Sequence, residues 1–504
     1  MPKRALISVS DKTGVAEFAK RLTAAGYEII STGGTLKFIS DAGLDVIAVD
    51  DVTGFPECFS GRVKTMHPKI MGGVLMRRED AQDAKEAKEN GIEPIDLVVV
   101  NLYPFEETVA KGITGDELIE QIDIGGPTLL RSAAKNHKHV TVVCDVTDYE
   151  RVISEIEQSG DTSPRTREEL ATKVFLCTAA YDSAITTALS EGKNNGLILT
   201  NGTPLRYGEN PHQTGTYCDL YGTERAWKVI QEEKQMSYLN ILDADGAWNL
   251  VCEYEEPTAA CIKHANPSGV ASHNDIAQAF QRCYDADRLS AFGVIVALNR
   301  PCPAEVIQKI IDQKIFAEVI IAPSYEPEAL KLLKKRPKLR AIEVESGKWK
   351  VDKDMTYRSM MGGILIQDKD TKVLTKDDLT VVTDAAPTDA QIEDLLFTWV
   401  VVKHAKSNAI VFAKDKITTG IGCGQTSRVD STIIAARRAG DRAKGSVMAS
   451  DAFFPFADSI ETAAENGITA IIQPGGSIRD EEVIAKANEL GIVMVTTGVR
   501  AFRH

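Results

Sequence analysis

The amino-terminal part of this chain alternates short, almost wholly apolar runs with segments of helical period, and that alternation admits few folds. Ala5-Leu6-Ile7-Ser8-Val9 reads as a strand, and Ser10-Asp11-Lys12-Thr13-Gly14 as the corner that caps the next helix. Val15, Phe18, Ala19 and Leu22 then recur at i, i+3, i+4 and i+7 as the buried stripe of that helix, which Gly26 ends. Strand 27–30, helix 36–41, strand 46–49 and strands 97–102 and 140–143 continue the pattern. Strands that lack polar alternation need cover on both faces, which predicts a parallel, doubly wound α/β sheet over residues 1–195. A polar connector, Glu191-Gly192-Lys193-Asn194-Asn195-Gly196, closes this domain. Further α/β patterns fill 198–365, including Val294-Ile295-Val296-Ala297-Leu298. A polar Asp368-Lys369-Asp370-Thr371-Lys372 stretch precedes a third region, 373–504, that finishes in strand 492–495.

At 504 residues the chain has room for about three domains. With 58 Lys and Arg against 72 Asp and Glu, a net charge of −14 disfavours non-specific attraction to nucleic acid or to an anionic membrane. Anionic substrates must be caught by local clusters of cations. The nine cysteines are scattered singly with no C-x-x-C pair, so neither disulfides nor a structural zinc site is expected. Pro301-Cys302-Pro303 lacks the second cysteine of a zinc deaminase. Met1-Pro2-Lys3-Arg4 runs straight into the first strand with no signal-peptide core, and no run approaches a membrane span, so a cytoplasmic location is expected. The basic run 331–338 reads as a solvated helix end broken by Pro337.

Chemistry concentrates in a few corners. Ser10-Asp11-Lys12-Thr13-Gly14 and Ser31-Thr32-Gly33-Gly34-Thr35 each follow a strand and open a helix, a geometry that aims backbone N–H groups at an anion. Neither is a Walker loop or a dinucleotide fingerprint, and tight turns need glycine for steric reasons too. Gly61-Arg62-Val63-Lys64-Thr65-Met66-His67-Pro68 adds two cations and a hydroxyl. Asn101-Leu102-Tyr103-Pro104-Phe105 leaves a phenol at a strand end, and Asp123-Ile124-Gly125-Gly126-Pro127 leads into a helix bearing Arg131 and Lys135. In Cys261-Ile262-Lys263-His264-Ala265, a lysine and a histidine sit side by side where the buried strand 258–262 ends. Asn266-Pro267-Ser268-Gly269 reads as the turn that stops it. Such a rim suits a proton acceptor beside a cation, although an ordinary solvated strand end would have the same local sequence.

The runs Ser-Val-Ser-Asp-Lys-Thr-Gly (8–14), Gly-Arg-Val-Lys-Thr-Met-His-Pro (61–68), Asn-Leu-Tyr-Pro-Phe (101–105) and Asp-Ile-Gly-Gly-Pro-Thr-Leu-Leu-Arg (123–131) resemble the inosine monophosphate cyclohydrolase domain. Arg-Tyr-Gly-Glu-Asn-Pro-His-Gln (206–213), Lys263-His264 and the closing Arg500-Ala501-Phe502-Arg503-His504 resemble the aminoimidazole carboxamide ribonucleotide (AICAR) transformylase domain. Taken together they resemble the bifunctional purine-biosynthesis family over essentially the whole chain.

That resemblance implies a methylglyoxal-synthase-like first domain that closes the purine ring. Its nucleotide site falls on Ser10, Asp11, Lys12, Thr32, Gly33, Gly34, Thr35, Arg62, Lys64, Thr65 and Asn101. Lys135 matches the residue assigned proton transfer, with Lys64, Tyr103 and Asp123 in support. The resemblance further implies a duplicated cytidine-deaminase-like α/β region, transformylase subdomains 198–365 and 373–504, stripped of zinc ligands and using 10-formyltetrahydrofolate as co-substrate with no catalytic metal. There His264 matches the base and Lys263 the group that stabilises the oxyanion. Nucleotide contacts fall on Arg206, Tyr207, Gly293, Asn408, Arg428, Phe453 and Arg500, and folate contacts on Glu318 and Asp458. Glu318 departs from the aspartate frequent there, lengthening the reach. The terminal tail enters the transformylase site, with Phe502 expected to anchor it by burial and His504 to lie near His264. A homodimer sharing its transformylase sites is implied. A regulatory nucleotide-binding module for the first domain and a zinc deaminase for the rest are the competing classes.

Overall fold

Apolar runs of the predicted kind pair in parallel in the computed structural model, which describes residues 2–59, 61–345 and 355–504. Met1 of the opening run lies outside them. Chain contacts divide the protein into two units, Met1–Thr200 with Leu220–Gly222, and Asn201–Asp219 with Thr223–His504.

In the first unit the strands are β1 (Lys3–Val9), β2 (Tyr27–Ser31), β3 (Ile47–Ala48), β4 (Leu97–Asn101) and β5 (Thr141–Val143). They form one parallel sheet in the order β3-β2-β1-β4-β5, the doubly wound class expected. Helix Val15–Ala24 buries Val15, Phe18, Ala19 and Leu22, as its periodicity requires. Two local readings fail. The corner before this helix does not cap it with a side chain, because Gly14 holds the N-cap position in left-handed backbone (φ 71°). Asp11 instead accepts from the Thr13 amide (2.9 Å) and hydroxyl (2.7 Å). Strand 46–49 shortens to Ile47–Ala48, since Val49 already opens helix Val49–Thr53, whose first turn carries Asp50 and Asp51 where the helix dipole favours acids.

The second unit is built on a single twelve-stranded sheet. From one edge the order is Thr380–Val381, Val493–Thr496, Ala470–Gln473, Val447–Ser450, Ile410–Lys414 and Ile417–Gly422. It continues through Asn266–Ser272, Thr258–Lys263, Val294–Leu298, Ala317–Ala322 and Arg340–Val344 to Trp227–Gln231. The order is a palindrome of two equivalent halves. Each half runs from a helix (Tyr238–Val251 or Asp389–Lys403) into an antiparallel hairpin, then alternates helices with three strands. Gly269 and Gly420 hold equivalent places, where a Cβ would strike the carbonyls of Cys283 and Ala435 on the covering helices. The duplication that the resemblance implies is therefore visible in topology and in packing. One buried cluster joins the halves, drawing Trp248, Val270 and Ile295 from the first and Val411, Ala449, Ile472 and Val495 from the second.

The reading of Asn266-Pro267-Ser268-Gly269 as a turn is wrong. Those residues begin the returning strand Asn266–Ser272, with the register shift between Pro267 and Gly269 accommodating the proline. The turn itself is His264-Ala265, both left-handed (φ 54° and 57°). The basic run is likewise not merely solvated: Arg336 donates to the carbonyls of Ile310 (3.3 Å) and Ile315 (2.8 Å) beyond the helix Pro327–Leu333.

Candidate active sites

In the first unit the ends of β1, β2 and β4 bring three corners together. Asn101, closing β4, accepts the amides of Ser10 (2.5 Å) and Asp11 (2.9 Å) on Oδ1 and donates to the Asp11 carbonyl (2.9 Å). The Thr13 bonds hold the Asp11 carboxyl below its ordinary value. Helix Gly33–Asp41 starts after Thr32 with no side-chain cap, so its first amides face outward. Two ammonium groups lie over that start. A Cβ on Gly33 would be 3.4 Å from Lys64 Nζ, and one on Gly34 would be 3.9 Å from Lys12 Nζ. Uncapped amides, a helix N-terminus and two lysines make an anion cradle. Thr35 is different: buried, it donates to the Val9 carbonyl (2.9 Å) and accepts the Val9 amide (3.1 Å), which ties the corner to β1.

Lys64 pairs with Glu57 (3.3 Å) and Arg62 with Glu120. Thr65 is buried against the start of helix Gly125–Lys135, where a Cβ on Gly125 would stand 3.4 Å from its hydroxyl. At that start Asp123 accepts the amides of Gly126 (2.7 Å) and Tyr103, and burial pushes its carboxyl up. Tyr103 keeps its ring half-exposed. Lys135 stands apart, exposed in the last turn, about 15 Å along the helix from Gly125. Among the described residues no hydrogen bond or ion pair joins it to Lys64, Tyr103 or Asp123.

In the second unit one helix gathers the site. A reciprocal box between Ser237 and Asn240 caps Tyr238–Val251. The Tyr238 amide donates to the Tyr207 carbonyl (3.2 Å), Asn240 Nδ2 to Glu318 (2.9 Å), and Asp243 accepts the amides of Ala265 (2.7 Å) and His264. The turn this carboxylate holds is of the type that favours Asn-Gly, and two non-glycine residues there cost of order 1–3 kcal/mol each. His264 is exposed at its tip. Beside it Lys263 donates to the Phe292 carbonyl, and Gly293 (φ 74°) leaves room for that ammonium, 3.2 Å from where a Cβ would stand. Glu318 is also 3.6 Å from the guanidinium of buried Arg340, while Arg206 stacks on Tyr207 at 4.9 Å.

Arg428 is buried, its guanidinium donating to Asp451, to Ser450 (2.8 Å) and to the Asn408 side chain (2.7 Å). Phe453 and Asp458 are exposed, the latter holding the Ser459 amide (2.7 Å). Consecutive amides bring the tail to the turn: Lys406 donates to Asn266 (2.9 Å) and Ser407 to the Arg503 carbonyl (3.0 Å). The anchoring of the tail differs from expectation. Phe502 is 41% exposed, with Arg500 over its ring and His504 edge-on to it, and the anchors are buried Ala501 and half-buried Arg503, whose guanidinium reaches the His404 ring and carbonyl. Among the described residues no hydrogen bond, ion pair or ring contact joins His504 to His264.

Sequence reasoning missed Asn240, Asp243, Arg340 and Arg503. Only Asn240 carried a signal, the Ser-x-x-Asn spacing of a capping box. Among the described residues no cluster of three or more His, Cys, Asp or Glu could hold a metal ion, and no helix is long and apolar enough to cross a membrane.

These two sites on these two folds define a nucleotide-handling α/β enzyme, and comparison with known proteins narrows the class. Residues 14–128 match the MGS-like domain, and residues 133–438 match the AICARFT/IMPCHase bienzyme. The bifunctional purine biosynthesis protein PurH of Bacillus cytotoxicus is 49% identical over 515 residues, covering all of both chains. The PurH proteins of Persephonella marina (49% over 520 residues) and a Thermoanaerobacter species (48% over 516) also match along their full length. The chain belongs to the AICARFT/IMPCHase bienzyme family.

Proposed function

We propose that the chain catalyses the last two steps of inosine monophosphate synthesis, formyl transfer from 10-formyltetrahydrofolate to AICAR followed by dehydrative ring closure. Full-length similarity to the bienzyme family supports the pair of reactions. The observation that carries the assignment of residues is the Lys263-His264 pair projected from a rigid hairpin rim. Residues 1–195 carry ring closure, and 198–365 with 373–504 carry transfer.

In transfer, the weakly nucleophilic amine of AICAR attacks the formyl carbon. His264 takes the amine proton as the bond forms, Lys263 stabilises the tetrahedral oxyanion, and the carbon–N10 bond breaks as a proton reaches the folate nitrogen. Arg206, Tyr207, Gly293, Asn408, Arg428, Phe453, Arg500, Phe502 and His504 surround the nucleotide in this reading, and Glu318 and Asp458 the folate. In ring closure, the carboxamide nitrogen attacks the new formyl group and water leaves. Lys12 with residues 32–34 holds the phosphate at the uncapped helix start, and Ser10, Asp11, Thr35, Arg62, Thr65 and Asn101 shape the rest of the site. Lys64, Tyr103 and Asp123 supply orientation, and proton transfer by Lys135, which stands apart from them, rests on the family resemblance alone. Neither step needs a metal, and the cytoplasm, where the nine free cysteines stay reduced, is the expected compartment.

The test is to supply AICAR and 10-formyltetrahydrofolate and follow inosine monophosphate by its absorbance. Its absence would remove the proposal, and supplied formylated nucleotide that stayed open would favour a regulatory first domain. Lys64→Ala is expected to slow ring closure by ~10²-fold, the usual worth of one electrostatic contact, and to let the formylated intermediate accumulate. Equal loss of both half-reactions would show that the sites are not independent.

The active form is a homodimer in this proposal. The hairpin formed by Met355–Met360 and Gly363–Asp368 has no buried residue, yet it exposes Met355, Tyr357, Met360, Met361, Ile364, Leu365 and Ile366. An isolated two-stranded ribbon is marginal in water, and so large an apolar surface fits a second copy of the chain. Sedimentation should give twice 54.8 kDa, and Leu365→Asp should shift the protein toward monomer. A wild-type monomer would contradict the shared transformylase site.

A further inference from the structure

The two halves of the second unit repeat the local architecture of the candidate transfer site, not only its fold. In the second half the hairpin of Ile410–Lys414 and Ile417–Gly422 turns at Asp415-Lys416, again two non-glycine residues in left-handed backbone (φ 53° and 54°). Lys414 corresponds to Lys263: its ammonium donates to the Lys444 carbonyl (3.4 Å) and stands 3.1 Å from where a Cβ on Gly445 (φ 77°) would lie. Asp394 corresponds to Asp243, and its two carboxylate oxygens accept the amides of Asp415 (2.9 Å) and Lys416 (2.8 Å). A helix carboxylate thus clamps both turns. At the second turn the residue in the place of His264 is Asp415, and Lys416 is paired with Glu256 (2.6 Å) and Glu393 (3.1 Å).

We propose that Asp243 is a positioning residue for formyl transfer: by accepting both amides of the His264-Ala265 turn, it fixes the left-handed backbone from which the His264 imidazole projects. This rests on His264 being the base of the transfer step. Asp243 is itself buried behind the turn, so it acts through His264 rather than on the substrate. Few residues accept positive φ without strain, and histidine is among those enriched there, but alanine is not. Without the clamp the turn relaxes toward other backbone shapes, and the imidazole loses the fixed direction that proton transfer needs.

The duplicated half supplies an internal control, because Asp394 performs the same backbone task at a turn that bears no base. Asp243→Asn keeps the shape but sets an amide NH₂ against one of the turn N–H groups, and is expected to lower kcat for formyl transfer at least tenfold with KM for AICAR within threefold. Asp394→Asn should leave kcat within twofold, and ring closure, measured on the same samples, should be unchanged in both. Ala265→Gly removes the strain at one turn position, so Asp243→Asn/Ala265→Gly should recover at least a third of wild-type transfer. That double variant also keeps the comparison measurable if the single variant does not accumulate. Transfer by Asp243→Asn within twofold of wild type, equal losses in Asp243→Asn and Asp394→Asn, or no recovery in the double variant would each overturn the proposal. His264→Ala, assayed alongside, separates the two ideas: if it retains transfer, the assignment of the base has failed, whereas its inactivity beside an unimpaired Asp243→Asn rejects the clamp alone.

Discussion

Replacing His264 by alanine is expected to lower formyl transfer by ~10²–10⁴-fold, the range that a positioned general base contributes. Ring closure of supplied formylated nucleotide should continue at the wild-type rate, because no residue of the first unit is altered. The loss should fall on kcat: the imidazole acts on a proton that moves only as the new carbon–nitrogen bond forms, and ground-state binding is left to other groups. Lys263→Met should behave in the same way. Its ammonium is held by the Phe292 carbonyl against the gap left by Gly293. Stopped-flow transfer assays with the two substrates check both variants, and wild-type rates in either would remove that residue from the mechanism.

The second large effect is on stability. Glu253 accepts from Lys403 (3.0 Å) and from the His404 ring, and Arg503 approaches the other side of that ring at 3.2 Å. Lys403 is only 7% exposed. Burial alone would raise the Glu253 carboxyl, but His404 and Lys403 together hold it below its ordinary value. Burial pushes the His404 imidazole down, against the pull of Glu253. His404 bridges the two groups, with Nε2 on the Glu253 carboxylate and Nδ1 on the Arg503 guanidinium. Glu253→Gln leaves a buried ammonium facing a neutral amide, with Asp370 at 3.7 Å as its remaining carboxylate, and should cost about 3 kcal/mol. The check is a shift in denaturant midpoint at unchanged slope. A shift worth under about 1 kcal/mol would mean that Asp370 alone neutralises Lys403.

The pH dependence follows from the same groups. Both shifts are downward, so the unfolded chain binds more protons than the folded one. The cluster's contribution is full above pH 6.5, the ordinary value of the imidazole, and declines as acid is added. Glu253→Gln should remove the carboxylate's share of that loss, which falls below pH 4.5, and leave the share of His404, which begins at pH 6.5.

Much of this was legible in the sequence because periodicity is a local signal. The runs around Leu6, Val98 and Val142 needed cover on both faces, and the first unit has the sheet they imply. The turn at His264 was not legible. A two-residue hairpin normally announces itself with Asn-Gly, and here Pro267 and Gly269, which belong to the bulged return strand, gave the stronger turn signal. The supports of the candidate site were hidden for a different reason. Asp243, Arg340 and Arg503 take their partners from segments distant in sequence, and spacing carries no trace of such pairs. Phe502 misled because an aromatic near a chain end suggests an anchor, whereas Ala501 and the guanidinium of Arg503 fill that place.

The shared buried cluster of the second unit has a mechanical meaning. Enzymes assembled from two similar lobes commonly close on substrate by bending at a thin waist between them. Here the lobes pool their apolar side chains, and Thr418 of one bonds the Val270 amide of the other at 3.0 Å inside the sheet. The lobes are joined by a shared core and a continuous sheet. A substrate that reaches the exposed His264 therefore meets a continuous sheet and core beneath it, which favours recognition by side chains at the rim over closure of one lobe on the other.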